Sequence, residues 1–161
     1  MGCIGWPRHD WGAPIVWTTA ALNGSRVSAV AGLSVPYRAR PSVPLIELWK
    51  KIYEGRFFYQ TYFQDEGVAE AELERDVRLS LRKIYFSISG DAPSLDSWVN
   101  RPATATLLEG FVDPPVFPDW LTEKDLDYFV ENFTSGGFRG PLNRYRNSER
   151  DFHDLPLMGV A

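Results

Sequence analysis

The sequence predicts an α/β front followed by a mainly helical remainder, and three stretches carry that prediction. The segment Arg8-His9-Asp10-Trp11-Gly12-Ala13-Pro14 leads directly into the apolar run Ile15 to Leu22, which reads as a tight turn entering a helix. After Asn23-Gly24 comes a short apolar run, Val27 to Val35, bounded by turn residues, whose length and flanks favour a buried parallel strand. Strand end, helix and strand together compose a crossover unit of a parallel sheet. Beyond Pro44 the apolar residues recur at helical spacing instead.

Composition narrows the function classes. The 161 residues are 44% hydrophobic and 14% aromatic, which is globular rather than disordered, and the length alone favours one domain. A net charge of −4 supplies no basic footprint for nucleic acid or an anionic membrane, so a small neutral or apolar ligand is the better expectation. Cys3 is the only cysteine, which excludes an intrachain disulfide and suits a cytoplasmic location. With only His9 and His153 besides, a metal site has no support, and no cofactor is expected. No window approaches about 18 uninterrupted apolar residues, so neither a signal peptide nor a membrane span is predicted.

Taken in order, Met1 to Arg8 occupies the place of a strand feeding the turn, but Gly2, Gly5 and Pro7 are poor material for a central parallel strand, and the segment reads as a damaged or foreign beginning. Pro14 is acceptable in a first helical turn, where its missing N–H has no intrahelical partner. Asn23-Gly24 predicts a left-handed stop. Pro36 to Pro44 marks a boundary, and Leu45 to Tyr53 a brief helix with Leu45, Leu48, Trp49 and Ile52 on one face. Arg56 to Gln64, dense in aromatics, is expected to be extended or irregular. Leu73, Val77, Leu81, Ile84 and Ile88 form one helical stripe, with Glu74 and Arg78 as a favourable i,i+4 pair opposite. Ser89 to Pro118, punctuated by Pro93, Pro102, Pro114, Pro115 and Pro118, is a long lid-type loop, a kind of segment that is uncommon unless functional. Thr122 with Asp125 opens another helix in a capping-box arrangement, with Leu126, Phe129, Val130 and Phe133 on its apolar face and Gly136-Gly137 at its end.

Asp10 is the first candidate for chemistry. At the entrance of a helix it would feel unpaired N–H groups that favour an ionised, nucleophilic carboxylate. An aspartate that merely caps the helix explains the same six residues. His9-Asp10-Trp11-Gly12-Ala13-Pro14 resembles the nucleophile elbow of α/β-hydrolase-fold epoxide hydrolases and their dehalogenase relatives, in which the nucleophile is Asp. In the general pattern small-x-nucleophile-x-small, Gly12 matches, while Arg8 stands where a glycine is expected and puts a bulky side chain where helix and strand approach closely. Phe57-Phe58-Tyr59-Gln60-Thr61-Tyr62-Phe63-Gln64 resembles the first tyrosine segment of epoxide hydrolase caps, and Gly136 to Asn147 the second, with Arg144 where the family often carries Trp.

The resemblance implies a partial α/β-hydrolase core (nucleophile elbow, helix, one parallel strand) with a mainly helical cap domain: core 1–43, cap 44–147 and a return segment 148–161. It implies a small-molecule epoxide substrate, opened by Asp10 while Tyr59 and Tyr145 donate to the ring oxygen, with the Trp11 backbone N–H as an oxyanion donor and Gln60 in substrate binding. Phenols suit the acid role because an unperturbed tyrosine, with a pKa of about 10, stays protonated at neutral pH. Taken singly, Tyr59, Tyr62 and Tyr145 are better explained as core aromatics with a polar tip; the two segments in order with the Asp elbow favour the acid role for Tyr59 and Tyr145, and Tyr62 is left to packing.

Hydrolysis of the resulting ester needs a His base oriented by an acid, which the family carries on strands beyond the cap. His9 reads as structural and His153 falls too early in the chain, so the chain is expected to be a fragment that is incomplete for turnover. A haloalkane dehalogenase-like hydrolase and a non-catalytic truncated hydrolase remain as alternatives, and a homo-oligomer stays open. A central strand without neighbours on both sides is expected to make the isolated chain poorly soluble.

Overall fold

The computed structural model describes residues 5–93 and 100–155. The chain divides into two compact units, Met1–Ser42 with Asp151–Ala161, and Val43–Arg150.

In the first unit, strand β1 (Gly5–His9) runs parallel to β2 (Ala29–Leu33), in register from Gly5 opposite Ala29 to His9 opposite Leu33. Helix α1 (Gly12–Leu22) makes the crossover between them. A strand over Gly5–His9 corrects the expectation of a poor beginning: among the described residues β1 bonds to one neighbour only, the setting in which a strand tolerates proline. The helix packs on β2 through Trp17, whose indole lies where a side chain on Gly32 would be; a Cβ there would stand 2.6 Å from the ring. The Trp17 Nε1–H donates to the Val35 carbonyl at 3.0 Å and pins the ring in that slot. Ala13 and Val16 are buried beneath the helix.

Two further expectations change here. β2 is buried on neither face, since Ala29, Ala31 and Leu33 are exposed and the alternate residues half-buried under α1. The stop after α1 is not left-handed: Asn23 has φ −131°, its N–H returns to Thr19 and Ala20, and its side-chain amide donates to Thr19 O at 3.0 Å. Those bonds close the helix without glycine's conformational freedom.

The second unit is helical: α2 (Leu45–Ile52), α3 (Tyr59–Tyr62), α4 (Val68–Glu74), α5 (Val77–Ser87), α6 (Glu123–Gly136) and α7 (Arg139–Asp154), whose last residues belong to the first unit. Its core gathers Phe57, Phe63, Leu73, Leu81, Leu107, Leu126, Phe138 and Leu142, with Leu126 fully enclosed. On α2 the buried side chain is Ile46, while Leu45 and Ile52 of the expected stripe are exposed. Arg56 to Gln64 is extended only at its start, where Arg56 bridges Pro102 and the Phe57 N–H bonds to Arg101 O; it then coils into α3, because the Phe58 carbonyl accepts from Thr61 N, Tyr62 N and Thr61 Oγ1.

The single stripe from Leu73 to Ile88 is two helices. Asp76 leaves the helical conformation and its carboxylate accepts the Leu79 N–H at 2.9 Å, capping α5 at its N-terminus. The break removes the Glu74–Arg78 pair. Arg78 instead joins Glu123 and Asp127 of α6, and Glu74 accepts the Phe138 N–H at 2.9 Å. Ile88 is exposed, so the stripe ends at Ile84. The capping box of Thr122 and Asp125 forms as the spacing predicts, and Gly137, at φ 69°, closes α6.

Within 89–118 the described residues form turns held by buried Arg101 and half-buried Glu72, and 94–99 lie outside the described residues. Arg101 donates to the carbonyls of Thr106, Leu107 and Glu109, with its guanidinium 4.0 Å from the centre of the Phe57 ring. Glu72 accepts the N–H groups of Leu107 and Leu108 at 3.0 and 2.9 Å. Burial pushes the Glu72 carboxyl up, but these bonds and the one from Tyr62 outweigh it and hold it below the usual carboxylate range. Among the described residues no helix is long and apolar enough to cross a membrane.

Candidate active site

Asp10 occupies the joint between β1 and α1 with φ +48°, in the left-handed region that a non-glycine residue enters at a cost. Its carbonyl accepts the Ala13 N–H at 3.0 Å, so the backbone turns directly from strand to helix. Helix-capping does not account for the aspartate. The cap position is Trp11, in helical conformation, whose side chain makes no capping bond. Pro14 lies in the first turn, and Asp10 is exposed at the C-terminal edge of the parallel pair, where ligands of such sheets bind.

Arg8, the departure from a small residue, is accommodated from the other side of the turn. A Cβ on Gly12 would stand 3.0 Å from Arg8 Cβ, so the space that the arginine stem uses is the space that Gly12 leaves. His9 is exposed beside it. Across the register, Ser34 follows Leu33 as Asp10 follows His9, and it too is left-handed, with φ 61°. Nothing in the apolar run that contains Ser34 signals this second strained joint.

In the second unit the structure brings together Tyr59, Gln60 and Tyr145. The two phenol rings meet edge to face, centroids 5.7 Å apart at 83°, and both contact Phe63, at 5.6 and 4.9 Å. Gln60 Nε2 donates to the Tyr59 hydroxyl oxygen at 2.8 Å. That places the Gln60 amide on the phenol itself. Gln64 Nε2 donates to Gln60 O at 2.7 Å and reaches Tyr145 O at 3.5 Å, linking the backbones of the two segments. Tyr62 points elsewhere: its hydroxyl donates to Glu72 at 2.7 Å, and burial together with that carboxylate pushes its ionisation far up. Exposed His153 stacks edge-on against Phe152.

Sequence reasoning missed what holds this cluster. Arg146, next to Tyr145, forms a two-pronged ion pair with Glu70, Nη1 to Oε1 at 2.6 Å and Nη2 to Oε2 at 2.9 Å, both side chains about nine-tenths buried. Both residues lie in or beside the two tyrosine segments, but nothing in the sequence pairs them, because they are 76 positions apart. Among the described residues no cluster of His, Cys, Asp or Glu is placed to hold a metal ion.

No protein-family model matches the chain. Its sequence is 38% identical over 151 residues to "Epoxide hydrolase A" of Mycobacterium tuberculosis, covering 91% of this chain and 46% of that protein. Over this stretch the chain resembles the epoxide hydrolases of the α/β-hydrolase fold. It is also 39% identical over 146 residues to "Bifunctional epoxide hydrolase 2" of Rattus norvegicus, covering 89% of this chain and 26% of that protein. Among solved structures, an epoxide hydrolase from an endophytic Streptomyces superposes with a TM-score of 0.86 at 40% identity, over 95% of this chain and 47% of that one. Epoxide Hydrolase A from Mycobacterium thermoresistibile gives 0.84 at 39% identity, over 94% and 47%. The chain therefore spans about half the length of these epoxide hydrolases, or less.

Proposed function

We propose that this chain carries the ring-opening residues of an epoxide hydrolase: Asp10 as nucleophile, with Tyr59 and Tyr145 as proton donors. The observation that carries the reading is the left-handed Asp10 between a parallel strand and a helix that it does not cap. A left-handed acidic residue at the C-terminal edge of a sheet supports a chemical role for that carboxylate.

In the first step a carboxylate oxygen of Asp10 attacks one epoxide carbon. A C–O bond to that carbon forms while the ring C–O bond breaks, and the departing oxygen takes a proton from a phenol. The product is a hydroxyalkyl ester of Asp10. The rings of Tyr59 and Tyr145 pack edge to face, which supports their acting on one oxygen, and the Gln60 N–H on the Tyr59 oxygen would support the phenolate left by proton transfer. A second step, in which water activated by a general base adds to the ester carbonyl while the Trp11 backbone N–H stabilises the oxyanion, would release the vicinal diol and the Asp10 carboxylate and return the remaining proton to the phenolate; none of the residues assigned here is that base. Paired phenols suit an epoxide oxygen better than a halide, which indole or amide N–H donors would serve.

The test is intact-mass spectrometry of the chain after incubation with a terminal aryl epoxide. The reading predicts a covalent adduct of one epoxide mass, or diol formation, and loss of both in Asp10→Asn. No adduct and no diol, or an adduct that survives Asp10→Asn, contradicts it.

A further inference from the structure

We propose that the Arg146–Glu70 ion pair is a positioning device for the tyrosine pair, locking the helix that carries Tyr145 to the turn that carries Tyr59. The proposal rests on the reading of those phenols as the ring-opening acids. Arg146 spends its whole guanidinium on this joint. Nε donates to Phe63 O at 2.7 Å, Nη1 to Glu70 Oε1 at 2.6 Å and Asn143 Oδ1 at 3.2 Å, and Nη2 to Glu70 Oε2 at 2.9 Å and Asp65 O at 3.4 Å. Glu70 in turn accepts the Gly67 N–H at 2.9 Å, at the left-handed entrance to α4. One buried cation therefore gathers the end of α3, the start of α4 and the middle of α7.

The placement ties this joint to the phenols. Phe63, whose carbonyl Arg146 grips, is the ring against which both Tyr59 and Tyr145 pack. Arg146 directly follows Tyr145, so a shift of its head is a shift of that tyrosine's backbone. If holding the helices together were the only task, apolar side chains of similar volume would do it at no cost in stability, because desolvating two charges offsets most of their attraction. What a planar two-pronged pair adds is a fixed orientation, and a lysine cannot reproduce the fork. Near-attack geometry depends on such orientation: a misplacement of about 1 Å can cost around a hundredfold in rate.

The experiment uses the full chain labelled with 13C-tyrosine, comparing wild type with Glu70→Gln, Glu70→Asp and Arg146→Lys, and Arg78→Ala as a surface-pair control. Two quantities are read: the ring-to-ring cross-peaks between Tyr59 and Tyr145, and the rate at which a terminal aryl epoxide alkylates Asp10. We expect Glu70→Gln and Arg146→Lys to weaken the cross-peaks and slow alkylation about tenfold or more, with the half-saturating epoxide concentration unchanged. Glu70→Asp, which keeps the charge, should recover part of both, and Arg78→Ala should change neither. Should Glu70→Gln and Arg146→Lys fail to fold, Glu70→Asp decides. Cross-peaks and alkylation at wild-type level in the folded Glu70 and Arg146 variants overturn the proposal. If wild type itself is never alkylated, the acid reading fails, and the cross-peaks still report whether the ion pair sets the geometry of the two rings.

Discussion

Asp10 is set by its own backbone, at φ +48° between a strand and a helix that are neighbours in sequence, whereas Tyr59 and Tyr145 meet across segments many residues apart. The elbow needs space: Gly12 yields to Arg8, and Gly32 yields to Trp17. Beside the tyrosine cluster lie bonds: the buried Arg146–Glu70 ion pair and the Gln64 amide bridge. The first device is broken by adding atoms, the second by removing them. The contrast also separates what each region costs the protein, since a left-handed aspartate stores strain locally, while an ion pair must be desolvated and repaid through its hydrogen bonds.

The largest effect should come from breaking the charge device. Arg146→Met leaves Glu70 buried and uncompensated, and denaturant unfolding should show a loss of about 3–5 kcal/mol. Acid probes the same pair. The Arg146 guanidinium holds the Glu70 carboxyl down to about 2, against an ordinary 4.5. Because the folded value is depressed, the stabilisation is fully present above the unfolded value and drains away as pH falls from about 4.5 through about 2. Thermal melts across that window should lose this slope in Glu70→Gln; an unchanged slope would assign the acid sensitivity to other carboxylates.

Next comes the device that depends on space. Gly32→Ala drives a methyl into the Trp17 ring, which cannot swing away without losing its bond to Val35 O, and should cost about 1–3 kcal/mol on unfolding. An Asp10 whose alkylation by an epoxide survives that substitution would show that the elbow tolerates a shifted helix. Smaller again is Asp76→Ala, which removes the cap that divides α4 from α5 and should cost about 1 kcal/mol. Arg78→Ala, at an exposed pair, should stay below about 1 kcal/mol.

The elbow was legible because it is local. A turn, an acid, a first-turn proline and an apolar run all sit within one short stretch, and the resemblance rests on the same residues. The capping box at Thr122 was legible for the same reason. Errors arose where a local rule met a competing one. Pro7 argued against a strand, but β1 has one bonded neighbour among the described residues and admits it. The spacing from Leu73 to Ile88 is helical throughout, yet Asp76 is a better cap than helix interior and splits it. Aromatic density hid α3, because Phe58 O satisfies Thr61 twice over. The tyrosine segments could be picked out by likeness, but the Arg146–Glu70 pair joins residues 76 positions apart, which no spacing within one segment encodes.

The central claim is that the Asp10 carboxylate becomes covalently bonded to substrate. Incubating the chain with a terminal aryl epoxide in water enriched in 18O, followed by peptide mass spectrometry, addresses it whether or not the ester goes on to hydrolyse. The account predicts that the peptide containing Asp10 carries either the hydroxyalkyl ester or 18O in its side-chain carboxylate, and that Asp10→Asn carries neither. A wild-type Asp10 with neither adduct nor label, under conditions that consume the epoxide, would contradict it.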